Sequence, residues 1–560
     1  MNSKVVTLGA KPSGFLSHRG FIVPLAPLQR YLGDNWKAFL NKLTLLYRPK
    51  IGPVVRTQMY EMIVLEADGS TRRVPPGQAK CILLPRSLIT SGIFGKVEVM
   101  FSPKSRIVCD GLDQIMAEAV SRLYDNQLLI VNHLMKHIFT AWRQDEGLAS
   151  AILNLRAGMG KTWVAAGLIA LLKYRTLYIV PKLPLAVQST NDLRALFEDR
   201  IVIRKYNAAA TKKWDAKVKA GKAEPRVPDD VTVMVINSAI MQPPEFFQQY
   251  SLIILDEVDT FCSPCRRAIF DRPTYCVLGM SATTADRSDG THAIAHKALA
   301  TTPSPANRRD HPVECDYITR GGVIHAEDIP GFTYEDVIFE SKVDVIRYKG
   351  PDDRTQHLTH LSTGRMFTPY MNEQFLSDPW RMQLAVNELR ALYDWRGDQG
   401  QMHSIYVFCE ERDPLKTVYD LFVASFGEGD ILAPELVNDN SSAAGGVGHF
   451  IGGIKEAQVN GIKLHARIIL TTYGYSGTGV SIDRATAIIF LTPRRANMKQ
   501  ILARILRRSG DLSIVRRVID IVDQETGIRN QYADRAQAYA FYGMEVDQRK
   551  ISWTDISIAA

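Results

Sequence analysis

The segment Arg156-Ala157-Gly158-Met159-Gly160-Lys161-Thr162 constrains the fold more than any other stretch of the chain. Residues 151–155 before it form an apolar run that reads as a buried strand, and residues 163–172 after it have the length and composition of a buried helix. A strand, a glycine-rich turn and Lys-Thr opening a helix is the layout of a phosphate-binding loop. Glycines let backbone N–H groups turn toward phosphate oxygens, and the helix N-terminus adds the positive end of its dipole. In such a loop Ala157, Gly158, Met159 and Gly160 offer the cradle, Lys161 reaches the β- and γ-phosphates, and the Thr162 hydroxyl helps hold Mg²⁺. ATP and Mg²⁺ are thus the cofactors expected. Leu155 replaces the first glycine of the full Gly-x4-Gly-Lys-Thr pattern. An ordinary glycine turn therefore stays open until the rest of the chain is read.

Downstream, strand-like runs at 176–180, 231–236, 251–255 and 275–280 alternate with helical stretches. That alternation is the signature of a parallel sheet covered on both faces. Pro181 and Lys182 follow the first run, and Asn237 follows the second. The third delivers Asp256-Glu257-Val258-Asp259, and carboxylates at the end of a buried strand need a compensating charge. Asp256 can hold Mg²⁺ through water, while Glu257 can orient or deprotonate an attacking water. The fourth run ends in Ser281-Ala282-Thr283. Ligands of open α/β sheets collect at the carboxyl ends of strands, so these successive signals mark an ATP site. Gln127 lies one helix upstream of the loop, and its amide can both donate to and accept from an adenine edge. Alone it would be an ordinary exposed polar residue.

Residues 302–365 are rich in Pro, Gly, Asp and His and read as an interdomain connection. A second alternating series begins near Tyr370, with strands at 404–408, 466–470 and 487–491 and a helix at 415–426. Thr471 and Thr472 open the segment 471–481, which also holds Gly479, and the tract 438–453 reads as a surface loop. The run Gln500-Ile501-Leu502-Ala503-Arg504-Ile505-Leu506-Arg507 predicts a helix with Gln500, Arg504 and Arg507 on one face and Ile501, Leu502, Ile505 and Leu506 toward a core. Two guanidinium groups on one face can stabilise charge on a γ-phosphate. A basic solvent-facing surface is the plainer alternative.

Before residue 115 the chain differs. Short β-favouring runs at 60–65, 81–84 and 97–101 are separated by Gly and Pro, with Asp68-Gly69 as a hairpin turn. This reads as an accessory β-rich or α+β domain, and no catalytic constellation falls in it. The net charge of +9 favours a polyanionic partner or simply reflects a basic surface. The basic stretch 204–222, with Trp214 inside it, can contact a nucleic-acid backbone, although a solvated helix and loop is the favoured reading. Seven scattered cysteines predict reduced thiols in an intracellular protein. Cys262-Ser-Pro-Cys265 has no second ligand pair downstream, so a zinc site is not expected. Neither a secretory signal nor a bilayer-length apolar run is visible. The expectation is a soluble protein, cytoplasmic or nuclear (or in a virion if viral), with no membrane partner and a monomeric state favoured.

Together these motifs resemble the superfamily-2 helicases and translocases, in family order from Gln127 to Arg507. RAGMGKT is similar to motif I, DEVD to motif II, SAT to motif III, residues 471–481 to motif V and QILARILR to motif VI, while the run with Pro181 and Gln188 resembles motif Ia. Within the superfamily the chain looks most like the XPB-like group, which includes helicases of phages and large DNA viruses. Leu83-Leu84-Pro85-Arg86 is similar to a feature of those viral members. The resemblance implies an α/β fold: two tandem RecA-like domains with parallel sheets, preceded by a smaller β-rich or α+β domain. The expected division is an accessory domain at 1–112, a first RecA-like domain at 113–305, a connection at 306–368, and a second RecA-like domain with the C-terminal tail at 369–560. It implies ATP bound between the two domains and nucleic acid across both. Asp256, Glu257, Lys161, Gln500, Arg504 and Arg507 would be catalytic, with Thr162 and Asp256 on Mg²⁺ and with Gln127, residues 157–162 and Gly479 on the nucleotide. Asp259, Ser281, Ala282 and Thr283 would couple the site to movement, and Pro181, Lys182, Asn237, Thr471 and Thr472 would touch nucleic acid. Ala503 in place of the motif VI glycine and Ser481 in place of a common motif V aspartate depart from the pattern. The activity implied is ATP-dependent unwinding or branch migration, with DNA favoured over RNA. Transcription or replication proteins are the expected partners. A translocase that releases transcripts or displaces proteins, an RNA helicase, and a catalytically silent scaffold are the alternatives.

Overall fold

The computed structural model describes residues 11–17, 20–47, 54–66, 71–90, 93–95, 97–99, 105–139, 149–156, 158–224, 229–263, 265–272, 274–282, 291–299, 323–334, 339–351, 368–426, 435–437, 445–476, 482–494, 497–507, 510–524 and 527–558. The chain divides into two compact units, Met1–Tyr334 and Glu335–Ala560.

The first unit begins with a mixed sheet. Its strands are β1 (Gly14–Ser17), β2 (Gly20–Pro24), β5 (Glu61–Leu65), β6 (Thr71–Arg73), β7 (Cys81–Leu84) and β8 (Val97–Val99), in the order β6-β5-β7-β2-β1-β8. β3 (Thr44–Tyr47) and β4 (Val55–Gln58) pair separately as an antiparallel ribbon. The Asp68-Gly69 turn lies outside the described residues, but its flanks pair antiparallel, Leu65 opposite Thr71. Phe21, Val23, Ile82 and Leu84 alternate onto one face, where α1 (Leu25–Leu32) and α2 (Trp36–Lys42) add Leu28 and Phe39.

A seven-stranded sheet follows: β9 (Ala149–Asn154), β10 (Thr176–Val180), β11 (Ile203–Lys205), β12 (Val231–Val235), β13 (Leu252–Asp256), β14 (Cys276–Ser281) and β15 (Val323–His325). Its order is β11-β12-β10-β13-β14-β9-β15, and every pair is parallel. The residues of β10, β13 and β14 are buried throughout rather than at alternate positions. The reason is that both faces are covered. Leu153, Ile254 and Leu278 face one cluster, while Ile152, Ile253, Leu255 and Val277 face the other. The first cluster is closed by α3 (Leu112–Ser121), α4 (Asp125–Leu134), α5 (Lys161–Leu172) and α6 (Leu183–Phe197). Gly167 permits the close fit of α5, because a Cβ there would meet Leu123 at 2.6 Å and Val131 at 2.9 Å.

The second unit holds another seven-stranded sheet: β16 (Ser341–Lys349), β17 (Ile405–Cys409), β18 (Val447–Phe450), β19 (Ile468–Thr472), β20 (Ala487–Phe490), β21 (Arg516–Asp523) and β22 (Glu545–Ser552), in the order β18-β19-β17-β20-β21-β16-β22. It too is parallel throughout. Two buried ion pairs pin helices to it. Arg381 donates to both oxygens of Asp523 at 2.9 and 3.2 Å and to the Leu491 carbonyl at 2.7 Å. Arg535 donates to Asp520 at 2.8 Å, which also accepts from the Tyr539 hydroxyl at 2.8 Å.

This is the expected α/β class: two tandem parallel sheets of RecA-like type behind a smaller mixed-sheet domain. Within the stretch read as a connection, β15 joins the edge of the first sheet and β16 lies inside the second. The tract read as a surface loop at 438–453 contains β18, which pairs with β19, so that reading is corrected. Among the described residues no helix is long and apolar enough to cross a membrane.

Candidate nucleotide-binding site

Because β9, β13 and β14 are parallel neighbours, their carboxyl ends lie on one edge of the sheet, and the sequence motifs follow those ends. After β9 the chain turns through Gly158 at φ 88° and Gly160 at φ 78°. Both lie in the left-handed region that side chains rarely adopt. A Cβ on Gly160 would also strike the Gln127 amide. α5 starts at Lys161 with no side-chain cap, so its N-terminal N–H groups remain directed at the loop.

Lys161 Nζ donates to Glu257 Oε1 at 2.5 Å, and the two side chains are only 12% and 11% exposed. Burial disfavours the Lys161 charge, but Glu257, Asp256 and Asp259 outweigh it and raise its pKa. Burial likewise drives Asp256 upward, to about 6, with Glu257 adding to the rise and Lys161 opposing it. Glu257 sits at φ 53°, an uncommon conformation for a non-glycine residue, and its N–H donates to Asp256 Oδ1 at 3.1 Å. One strand over, Ser281 Oγ donates to Asp259 Oδ1 at 2.7 Å. Asp259, just past the end of β13, and Ser281, at the end of β14, were both expected to couple the site to movement, and they are joined directly.

Gln127 is buried against the loop. Its Nε2 donates to the Met159 carbonyl at 3.2 Å and its Oε1 accepts from Tyr124 N at 3.2 Å. It braces the loop through one end and caps its own helix with the other. Pro181 is buried after β10, Lys182 precedes α6, and Asn237 stands exposed after β12. In the second unit Thr471 is buried with its hydroxyl donating to the Phe450 carbonyl at 2.6 Å, and Thr472 Oγ1 accepts from Tyr475 N at 3.3 Å. Ala157, Thr283 and Gly479 lie outside the described residues.

The helix expected through Arg507 is corrected: it spans only Met498–Leu502. Arg504 N and Ile505 N bond to the carbonyls of Ile501 and Leu502 at 3.1 Å each, which tightens the chain into a turn. The Ile505 carbonyl is taken by Arg516 Nε at 2.6 Å. Gln500, Arg504 and Arg507 therefore do not share a continuous helical face. Arg504 is 3% exposed, so a solvated basic face does not describe it.

Two residues near the site were not anticipated. Tyr178 on β10 is buried, with Asp256, Thr162 and Ser189 as the polar neighbours of its hydroxyl, and burial pushes that hydroxyl well above the usual phenol range. A tyrosine in a strand buried on both faces must place its hydroxyl among polar groups, and that was the available signal. Tyr334 stacks under the Arg156 guanidinium at 3.9 Å and donates to Glu327 at 3.0 Å. Its distance along the chain from the loop left no local signal.

The arrangement suits a nucleotide triphosphate with a divalent cation. It offers a left-handed glycine cradle, Lys161 paired with Glu257, and Asp256 and Thr162 both next to the Tyr178 hydroxyl. Among the described residues no group of three or more His, Cys, Asp or Glu is arranged to hold a metal ion by itself. Mg²⁺ commonly binds through one or two carboxylates, phosphates and water, and Thr162 and Asp256 fit that need.

A family model described as type III restriction enzyme, res subunit, matches residues 121–286. A protein of African swine fever virus (isolate Tick/South Africa/Pretoriuskop Pr4/1996), carrying the name ATP-dependent RNA helicase QP509L, is 32% identical over 406 residues, covering 70% of this chain and 68% of the relative. Its counterpart from the Vero-adapted Badajoz 1971 strain is 32% identical, with 70% and 69% covered. Among solved structures, T4 UvsW aligns over 97% of this chain and 100% of its own at 15% identity, with a TM-score of 0.31. S. cerevisiae Dbp5 bound to RNA and ADP BeF3 aligns over 80% of this chain and 97% of its own at 12% identity, with a TM-score of 0.45.

Proposed function

The chain belongs to the superfamily-2 helicases, and from that premise we propose that it is a motor which couples ATP hydrolysis to strand separation in DNA. The ATP-dependent helicase activity follows from the family; the polymer and the outcome are our reading. The observation that carries it is the bond from Lys161 of the phosphate loop to Glu257 at 2.5 Å, beside Asp256, with Asp259 of the same acidic run bonded to Ser281 at 2.7 Å.

In this reading Gly158, Met159, Gly160 and Lys161 bind the phosphates, and Gln127 contacts the base or steadies the loop. Thr162 and Asp256 would hold Mg²⁺, which would shield the phosphate charge. Glu257 orients and deprotonates the attacking water, and release of Lys161 to the phosphates frees that carboxylate. Asp259, Ser281, Ala282 and Thr283 relay the state of the site. Gln500, Arg504 and Arg507 of the second unit are assigned to the γ-phosphate as the family pattern implies, with Gly479 as a further nucleotide contact. Pro181, Lys182, Asn237, Thr471 and Thr472 are assigned to nucleic acid. Our working scheme keeps the four-part division at 112, 305 and 368, with β15 and β16 assigned to the sheets they join rather than to the connection, and no partner protein is proposed beyond a transcription or replication complex.

The restriction-enzyme description of the matching family model favours DNA. The name carried by the African swine fever virus relatives favours RNA, which is the second reading. ATPase stimulation and strand separation on single-stranded DNA, forked DNA, Holliday-type junctions and RNA decide between them. Lys161→Ala is expected to lower stimulated turnover at least about 100-fold while the fold is retained. Full activity in that variant would overturn the assignment.

A further inference from the structure

The crossover between β11 and β12 carries charge that the nucleotide site does not use. Residues 204–222 hold seven basic side chains against one acid, and so supply six of the nine excess positive charges of the chain. Arg204 is committed elsewhere, to Asp229 at 2.9 Å. Most of the remainder stand on α7 (Ala208–Lys219), whose N-cap Asn207 accepts from Ala210 N at 3.0 Å. Thr211, Trp214 and Val218 are the half-buried positions of α7, and Trp214 Nε1 donates to the Glu224 carbonyl at 3.1 Å. That fixes which side of the helix faces inward.

Lys212, Lys213, Lys217 and Lys219 are all exposed. At helical spacing they fall within an arc of about 160° on the side away from Trp214 and Val218. Among the described residues none of the four has an ion-pair partner. Lys213 and Lys217 stand four residues apart, a like-charge spacing that a bound anion relieves. Its location matters as well. β10, β12 and β11 are parallel neighbours, so the end of β11 that leads into α7 lies on the same sheet edge as Lys182 and Asn237. A helix of this length spans about 18 Å, enough to meet several successive phosphates.

We infer that the exposed lysine face of α7 is an auxiliary contact for a phosphodiester backbone, lying beside the motor core and independent of base sequence. The inference rests on the nucleic-acid reading above and adds to it a separable determinant of affinity. The face sets how tightly, and with what salt dependence, the strand is held; it does not set the rate of ATP hydrolysis once the strand is bound.

The test uses the full chain and the quadruple variant Lys212→Gln, Lys213→Gln, Lys217→Gln, Lys219→Gln. Glutamine has nearly the helix propensity of lysine, and an unchanged circular dichroism melt confirms that the fold is kept. Binding to labelled single-stranded DNA, duplex DNA and RNA of one sequence is titrated across salt, alongside stimulated ATPase. The variant is expected to bind roughly 10-fold or more weakly near 0.1 M salt, and its slope of log affinity against log salt should shrink by about 2 to 4. ATPase turnover at saturating nucleic acid should match wild type. The arm that loses most affinity identifies the polymer this face prefers. Unchanged affinity and slope, with wild-type stimulated turnover, would overturn the inference and leave the motor intact. A wild-type chain that none of the polymers stimulates would instead overturn the nucleic-acid reading itself.

Discussion

His403 shows how one residue can make the second unit sensitive to acid. The imidazole is buried, with Nδ1 at 3.0 Å from Thr486 Oγ1 and its ring 4.3 Å from that of Trp395. Burial, then the charges of Arg517, Arg467 and Arg516, lower its pKa from 6.5 to about 4. The unfolded chain therefore takes up a proton below pH 6.5 that the folded chain refuses until about pH 4. The neutral site gives its full stability above that window, and stability is lost as pH falls through it, by about 3 kcal/mol at the acid end. His403→Gln should flatten the decline of stability between pH 7 and pH 4.5 in urea titrations; parallel profiles for the two proteins would exclude the effect. None of this was legible in the sequence, where His403 precedes an ordinary strand and the three arginines lie far along the chain. Lys161, Asp256 and Glu257 were legible because their chemistry sits in adjacent residues at strand ends. Tyr178 and Tyr334 were not, since their significance depends on what folds against them.

Elements were readable where periodicity alone defines them. Strands β13 and β19 and helix α5 carry the apolar runs 252–255, 468–470 and 163–172 that a covered parallel sheet requires. Glycine misled the reading of β18. The tract 438–453 reads as a loop, but a Cβ on Gly448 would meet Ile462 at 2.7 Å, so this glycine serves close packing within a strand. The shortened helix at Met498–Leu502 has a different cause. Arg516 is fully buried, and its guanidinium donates to the carbonyls of Ile505 at 2.6 Å, Asp511 at 2.7 Å and Ile514 at 2.5 Å. It gathers the segment that follows the helix and thereby positions Arg504 and Arg507. Lysine at this place keeps the charge but loses the planar fork. Arg516→Lys is expected to lower ATPase turnover about 10-fold or more, because small displacements of catalytic groups are costly. A purely structural role would lower the melting temperature alone. Turnover measured well below that temperature, with wild-type kcat, would therefore refute the positioning role.

At the scale of the whole molecule, the tandem parallel sheets follow from the alternation of strands and helices, whereas the attachment of the N-terminal domain does not. That attachment runs through Arg86, in the Leu83-Leu84-Pro85-Arg86 run, whose Nη2 donates to the carbonyls of Thr274 at 2.9 Å and Tyr275 at 2.8 Å just before β14. Ser87 adds a bond from its hydroxyl to the Lys297 carbonyl at 2.5 Å. Burial lowers the Arg86 pKa to about 10, with Cys276 and Asp271 opposing the fall, and at neutral pH the group remains a charged donor. The mixed sheet is thus bonded to the segment that feeds the strand ending in Ser281, so loosening one end should be felt along β14. Arg86→Ala removes two charge-assisted hydrogen bonds and strands two carbonyls, a loss of about 3 kcal/mol. Both ends of the contact lie in the first unit, so hydrogen exchange should quicken in peptides of the mixed sheet and of β14. Peptides of Glu335–Ala560 should keep their wild-type rates. Faster exchange spread equally over both units would show that Arg86 supports the chain as a whole rather than this one junction.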